Sequence, residues 1–454
     1  MSMDLTGKKV CVVGSGLSGV GAVELLEKVS AKPILYDSNK ELKEEEVRAR
    51  FANGTKVPMY FGELPDDVRQ ETELLILSPG VPVDTPFVEE FRQRGIRVWG
   101  EIELAYAFSK GNVIAITGTN GKTTTTALVG QIMKDYFKNE VFVVGNIGNP
   151  YTQAALQTTE KSVVVAEISS FQLETIEQFK PAVSAILNIT PDHLNRHHTM
   201  ENYIETKQRV AENQGSDETV VLNYEDENTR KFGEKTKARP FYFSIRHTLS
   251  DGIDLRDGVI TYEKDGVSTP VVAVNEMQLL GDHNVENVMA AAAVAISFHV
   301  PIENIAATIR AFKAVAHRIE FVREVNGVAY YNDSKGTNVD AAIKGIGAMN
   351  RKTYLIGGGY DKQSEYDEWI EAFDGKVQKL VLIGQTAEKI AACARKHGFD
   401  DIIMAGDLKE AVDTCYRLAK PGEAVLLSPA CASWGQFKNY EQRGDLFKEY
   451  VREL

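Results

Sequence analysis

The chain is 454 residues long, 43% hydrophobic and 25% charged, with a formal net charge of −13. At roughly 100–200 residues per domain this suggests about three domains of ordinary soluble composition, and the acidic balance argues against a general nucleic-acid-binding face. No apolar run reaches the ~18 residues of a membrane span, and the first residues lack a signal peptide's apolar stretch and cleavage site, so a cytoplasmic protein that binds no membrane is expected. Cys11, Cys393, Cys415 and Cys431 are scattered. None pairs with another at metal-ligand spacing, and they read as reduced, mostly buried thiols.

Strand-then-helix alternation runs through most of the chain, the pattern of parallel sheets with crossover helices. The first unit has strands at Lys9 to Val13, Pro33 to Tyr36, Leu74 to Leu77 and Ile96 to Trp99, with a helix from Val20 to Val29. The second opens near Asn112 with a strand at Val113 to Ile116 and a helix from Thr124 to Met133. Strands follow at Val141 to Val144, Val163 to Ala166 and Ala182 to Leu187. Short β segments fill 220–274, with turns at Asp251-Gly252, Asp257-Gly258 and Asp265-Gly266. An Ala-rich helix runs from Val285 to Phe298. The third unit begins near Ala314 and has strands at Val328 to Tyr331, Tyr354 to Ile356, Leu380 to Ile383 and Val425 to Leu427. The expected divisions are 1–100, 101–314 and 315–454. In open α/β sheets ligands bind outside the carboxyl ends of the strands, and the polar motifs lie there repeatedly.

Thr117-Gly-Thr-Asn-Gly-Lys-Thr123 stands between an apolar strand and a helix. Glycines there turn backbone N–H groups toward an anion, and the helix N-terminus adds its dipole. Lys122 is placed for β and γ phosphates and Thr123 for Mg²⁺. The spacing is G-x-x-G-K-T, shorter than the usual phosphate loop, because Ile116 occupies the position of the first glycine. Further along, Glu167 closes a strand in Ala-Glu-Ile-Ser-Ser-Phe-Gln-Leu (166–173). Asn-Ile-Thr-Pro-Asp-His (188–193) follows another, and Lys207 lies on a later helix. Taken singly, Glu167 and His193 are weak signals and Lys207 reads as a surface lysine.

Together and in this order, these motifs resemble the Mur ligases, and the similarity runs through essentially the whole chain. The resemblance implies an α/β protein of three domains: a Rossmann-like N-terminal domain for a UDP-linked substrate, a central P-loop ATPase-like domain, and a Rossmann-like C-terminal domain for the incoming amino acid. It implies ATP bound by Gly118, Thr119, Asn120, Gly121, Lys122, Thr123 and Thr124. It also implies Mg²⁺ held by Thr123, Glu167, His193 and a carbamylated Lys207, with Lys122, Glu167, His193 and Lys207 as the catalytic set. Asn287, in Gly281-Asp-His-Asn-Val-Glu-Asn287, falls at an adenine position, although helix capping would also explain asparagines there. Arg318, Asp333 and Lys335 fall at ATP-side positions of the last domain, so that domain closure would complete the site.

The C-terminal motifs Asn332-Asp-Ser-Lys-Gly-Thr-Asn338, Ser428-Pro-Ala-Cys-Ala-Ser433 and Tyr440-Glu-Gln-Arg-Gly444 are similar to those of the D-glutamate-adding branch. For D-glutamate the resemblance implies Thr337, Lys362, Ser433, Trp434 and Tyr440, with Trp434 and Tyr440 standing where some members carry Leu and Phe. The expected substrates are ATP, D-glutamate and UDP-N-acetylmuramoyl-L-alanine, in cytoplasmic peptidoglycan precursor synthesis by a monomer. The UDP-substrate positions are Leu17, Ser18, Asp37, Ser78, Gly80, Asn146, Ser169, Gln172 and His193. Asn39 stands where some members carry Arg. Alternatives are another Mur-type ligase, a folylpolyglutamate-type ligase, or an NAD-dependent dehydrogenase, since Gly14-Ser-Gly-Leu-Ser-Gly19 followed by Asp37 also fits a dinucleotide fingerprint.

Overall fold

The computed structural model describes residues 4–52, 54–138, 140–313 and 315–454. Among them no helix is long and apolar enough to cross a membrane. The described residues form three sheets, distributed over two compact units. One unit comprises 1–274 and 286–310, the other 275–285 and 311–454. The first two sheets therefore share a unit. The boundary expected at Ala314 falls on a residue outside those described.

The first sheet has five strands: β1 (Lys9–Val13), β2 (Lys32–Asp37), β3 (Met59–Phe61), β4 (Leu74–Leu77) and β5 (Arg97–Gly100). Their order is β3-β2-β1-β4-β5 and all are parallel. Alternate residues face opposite layers, as a strand's period of two requires. Val10, Val12, Leu74 and Ile76 join one apolar cluster, while Cys11, Val13, Leu75 and Leu77 join another.

The second sheet has nine strands: β6 (Asn112–Thr117), β7 (Val141–Gly145), β8 (Val163–Glu167), β9 (Val183–Ile186), β10 (Thr219–Asn223), β11 (Arg239–Ser244), β12 (Gly252–Arg256), β13 (Val259–Lys264) and β14 (Val267–Ala273). They run in the order β14-β13-β12-β11-β10-β9-β6-β8-β7. The pairings from β7 to β12 are parallel, and β12, β13 and β14 form antiparallel hairpins. The hairpin turns place Asp257-Gly258 and Asp265-Gly266 at positive φ, as those dipeptides predict. The register of β13 and β14 shifts by a bulge beside Pro270.

The third sheet consists of β15 (Glu320–Val325), β16 (Val328–Asn332), β17 (Thr353–Gly357), β18 (Val377–Leu382), β19 (Ile402–Met404) and β20 (Ala424–Leu427). Its order is β15-β16-β20-β17-β18-β19, antiparallel only at β15. The sequence reading did not name β3, β15 or β19, nor many of the helices, among them Pro86–Gln93, Glu101–Phe108, Ile302–Ala311, Ala387–Lys396, Leu408–Leu418 and Tyr440–Glu453. All three strands lie at sheet edges; β3 and β19 have three residues each, too few to show a period of two, and β15 breaks its apolar residues with Glu320, Arg323 and Glu324.

Candidate active site

The phosphate loop leaves β6 at Thr117 and enters the helix Lys122–Phe137. Gly121 has φ 84°, and a Cβ there would stand 2.1 Å from Asn287 Oδ1, so both backbone and space require glycine. Asn287 is buried against the loop, where it also accepts a hydrogen bond from Thr125 Oγ1 at 3.4 Å. Asn188 clamps the other side. Its Oδ1 accepts from the Asn120 N–H at 2.8 Å, and its Nδ2 donates to Asn120 O at 3.2 Å. Sequence reasoning passed over this asparagine, although it opens the motif quoted for His193.

Two lysines converge on this loop. Lys122 Nζ donates to the carbonyls of Gly118 at 2.8 Å and Thr119 at 2.9 Å. Lys207 Nζ donates to the same Gly118 carbonyl at 2.9 Å and lies 4.7 Å over the Tyr203 ring. Far from being a surface lysine, Lys207 is 1% exposed. Burial, reinforced by the charge of Lys122, holds its pKa well below the usual lysine value. Loss of the proton leaves a nucleophilic amine, the form that combines with CO₂ to give a carbamate.

Glu167 ends β8 and is 1% exposed. Its Oε1 accepts from Asn146 Nδ2 at 2.8 Å, while its buried Oε2 has no hydrogen-bond partner. An orphaned carboxylate oxygen is costly without a cation or donor, so the chemistry of Glu167 suits a bound divalent metal. His193, in the left-handed region at φ 52°, is half-exposed, with its ring 4.9 Å from that of Phe171. Ser169 and Gln172 stand on the turn after Glu167 and satisfy one another in a capping box. Thr123 is half-buried and Thr124 buried in the first helical turn.

At the first sheet, Gly14 has φ 98°, and a Cβ on Gly19 would meet Gly14 O at 1.8 Å, so both glycines let the helix pack tightly on the turn. Asp37 Oδ2 accepts from the Ser15 N–H and hydroxyl at 2.9 and 2.8 Å, and its Oδ1 accepts from the Asn39 N–H. The acid that a dinucleotide fingerprint reserves for ribose thus braces the turn itself. Ser78 Oγ donates to Gly14 O at 3.3 Å, and Gly80 faces open space. Leu17 lies 70% exposed at the rim, an apolar side chain open to a ligand. Ser18 follows it in the helix Leu17–Lys28. Arg50, which the sequence reading did not single out, donates to Ser15 O at 2.8 Å and brings a cation to this turn.

In the other unit, Asp333 and Lys335 follow β16. Asp333 is buried and accepts from Ser428 Oγ at 2.7 Å, and burial pushes its carboxyl up to about 7 against the opposing pull of Ser428 and Arg318. Arg318 has a buried Nε without a hydrogen-bond partner. Lys335 Nζ lies 5.6 Å over the Tyr440 ring, and Lys362 Nζ lies 5.2 Å over Trp434. Thr337 is half-buried and Ser433 buried. Behind them sits Arg443, 0% exposed, which donates to Ser334 Oγ at 2.9 Å, Ser334 O at 2.8 Å and Cys431 O at 3.1 Å. This guanidinium ties the 333–337 loop to the 428–433 loop. It lay in a quoted motif, but without an assigned role.

Three family models match in succession. They are the MurD-like N-terminal domain of Mur ligases over residues 8–100, the Mur ligase middle domain over 116–295, and the Mur ligase glutamate ligase domain over 317–431. The chain belongs to the Mur ligase family, a class of ATP-dependent ligases. Within it, the relatives that match from end to end include proteins named UDP-N-acetylmuramoylalanine–D-glutamate ligase. The protein of that name from Lachnoclostridium phytofermentans is 54% identical over 452 residues, covering 100% of this chain and 99% of the relative. That from Lachnospira eligens is 53% identical, covering 100% of both. Among solved structures, UDP-N-acetylmuramate–alanine ligase MurC from Thermotoga maritima has a TM-score of 0.61 at 20% identity, over 98% of this chain and 99% of that one. MurF ligase from Thermotoga maritima, in complex with ADP, has a TM-score of 0.61 at 16% identity, over 100% and 97%. These two likenesses concern the fold. Family membership sets aside the dehydrogenase reading.

Proposed function

We propose that this chain joins D-glutamate to UDP-N-acetylmuramoyl-L-alanine at the expense of ATP, in the cytoplasm, as a step of peptidoglycan precursor synthesis. The name borne by the full-length relatives supports the substrates. One observation carries the chemistry: Lys122 and the buried amine of Lys207 meet on the Gly118 carbonyl of the phosphate loop.

In this reading residues 1–100 serve the UDP-linked substrate, 101–314 the nucleotide, and 315–454 the amino acid. Leu17, Ser18, Ser78 and Gly80 line the uridine side, with Asp37 as brace of their turn and Arg50 supplying the positive charge that Asn39 does not. Residues 118–124 cradle the phosphates, and Asn287 keeps the loop in shape beside the base. Arg318, Asp333 and Lys335 serve ATP. Thr337, Lys362, Ser433, Trp434 and Tyr440 serve D-glutamate, whose two carboxylates call for Lys362.

The substrate carboxylate oxygen attacks the γ-phosphorus of ATP and ADP leaves, giving an acyl phosphate. The amine of D-glutamate then attacks the acyl carbon, and phosphate departs as the amide forms. Lys122 neutralises charge on the transferred phosphoryl group, which would otherwise repel the incoming carboxylate. Carbamylation converts Lys207 from a base into an anion beside that loop. Thr123, Glu167, His193 and the Lys207 carbamate would hold Mg²⁺, which when bound screens the charge between carboxylate and phosphate. Asn146, Ser169 and Gln172, on the loops after β7 and β8, position the muramoyl-peptide end.

A substrate-omission assay tests the proposal. Phosphate release from ATP should require UDP-N-acetylmuramoyl-L-alanine, D-glutamate and Mg²⁺ together. Equal turnover with L-alanine or a diamino acid in place of D-glutamate overturns the choice of amino acid.

A further inference from the structure

The helices Asp367–Glu371 and Ala387–Lys396 carry a second group of metal-ligating side chains that the ligase chemistry does not use. Asp367, Cys393 and His397 each offer one ligand atom, and these atoms all lie within 4.8 Å of one another. We propose that Asp367, Cys393 and His397 form a binding site for one thiophilic divalent cation of the Zn²⁺ class, with Glu371 orienting the histidine.

The geometry is that of paired positions one helical turn apart. Asp367 and Glu371 share one face of their short helix. Cys393 and His397 share a face at the end of the other, His397 being its C-cap. His397 Nε2 lies 2.9 Å from Asp367 Oδ1, and its Nδ1 lies 3.6 Å from Glu371 Oε1. Glu371 thus faces the far ring nitrogen at ion-pair rather than hydrogen-bond distance, where its charge favours a proton on that nitrogen and leaves the other for a metal. Thiolate, imidazole and carboxylate together suit zinc, with water as the fourth ligand. Zinc bond lengths of about 2.0–2.3 Å put neighbouring ligand atoms roughly 3.3–3.8 Å apart. His397 Nε2 and Asp367 Oδ1, at 2.9 Å, need to part slightly, and a pair at the 4.8 Å limit to draw in by about an ångström, both within reach of side-chain rotation.

A plain ion-pair network is the competing explanation, because Lys396 Nζ also sits 2.8 Å from Asp367 Oδ1. That contact shows that the position attracts a cation. The Lys396 side chain is 72% exposed and free to swing into solvent. An ion-pair network gives no reason for the Cys393 sulfur to lie within 4.8 Å of the Asp367 and His397 ligand atoms. A metal does: on binding, the Cys393 thiol releases its proton to solvent and its sulfur takes the cation.

The test is a Co²⁺ titration of the full-length, reduced protein. One equivalent should develop a sulfur-to-cobalt charge-transfer band, bleached by Zn²⁺. Cys393→Ser should abolish the band while leaving the metal-free melting temperature unchanged. His397→Gln should weaken Co²⁺ at least by the roughly 10–100-fold typical of losing even an outer-shell partner. Lys396→Met should tighten it, whereas an ion-pair network alone predicts no effect on Co²⁺. Absence of the band at saturating Co²⁺, or its survival in Cys393→Ser, overturns the proposal. Because the other thiols lie elsewhere, the sulfur band separates this site from any Co²⁺ held near Glu167.

Discussion

Lys207 Nζ is hydrogen-bonded to the Gly118 carbonyl at 2.9 Å, so a lysine buried on a later helix and the phosphate loop are held as one piece. The folded environment depresses the pKa of Lys207, so at neutral pH the unfolded chain takes the proton more readily and the unmodified side chain weakens the fold. That deficit grows as pH falls from the ordinary lysine value down to the folded one. Lys207→Met should therefore melt higher than wild type in CO₂-free buffer at pH 7, yet lose turnover by at least about 10²-fold. Wild-type activity should fall on CO₂ removal and return with bicarbonate. A Lys207→Met enzyme with near-normal rate would refute the carbamate role.

Lys122 is the charge-neutralising group of the same loop. Lys122→Ala should lower turnover by about 10²–10³-fold, the usual cost of removing one preorganised transition-state donor. Binding of the UDP-linked substrate, measured by calorimetry, should be largely unchanged, because its uridine side is assigned to the first sheet and Lys122 is not among its proposed contacts. Retention of the wild-type rate rules out the loop assignment.

Glu167 has one oxygen on Asn146 and one without a partner. Glu167→Gln keeps an acceptor for Asn146 but removes the charge. The Mg²⁺ concentration for half-maximal activity should rise by at least about tenfold, with thermal stability held or improved. Unchanged Mg²⁺ dependence would remove Glu167 from the metal set.

Asp333 titrates near 7 in the fold against an ordinary 3.8. Because the folded value is raised, its protonated form supports stability fully below about pH 4, and that support disappears as pH rises through 7. Asp333→Asn should flatten the decline in unfolding free energy between these values, measured by urea denaturation. Parallel curves for the two proteins would contradict the burial of this carboxyl.

The parallel sheets were legible because their strands are continuous apolar runs followed by glycine or polar turns, as at β1, β6 and β17. The loop at 118–123 was legible from its spacing between strand and helix. What escaped was set by partners distant in sequence. Nothing local marks Asn188 as the clamp on Asn120, Arg50 as the neighbour of Ser15, or Arg443 as the tie between two loops. Lys207 looked solvated because its helix has no strongly apolar face; only the packed structure hides it. Cys393 and His397 were overlooked because metal spacing was sought between cysteines alone.

The last strand of the large sheet, β14, lies at its margin and carries Pro270 beside the bulge opposite β13. A proline has no N–H to offer and a bulge twists the ladder away from flatness. The open hydrogen-bonding edge of a nine-stranded array is thereby made a poor template for a stranger's strand. A threonine at 270 would turn that margin into an adhesive one, and the expected symptom is fibrous precipitation during refolding rather than any change in catalysis.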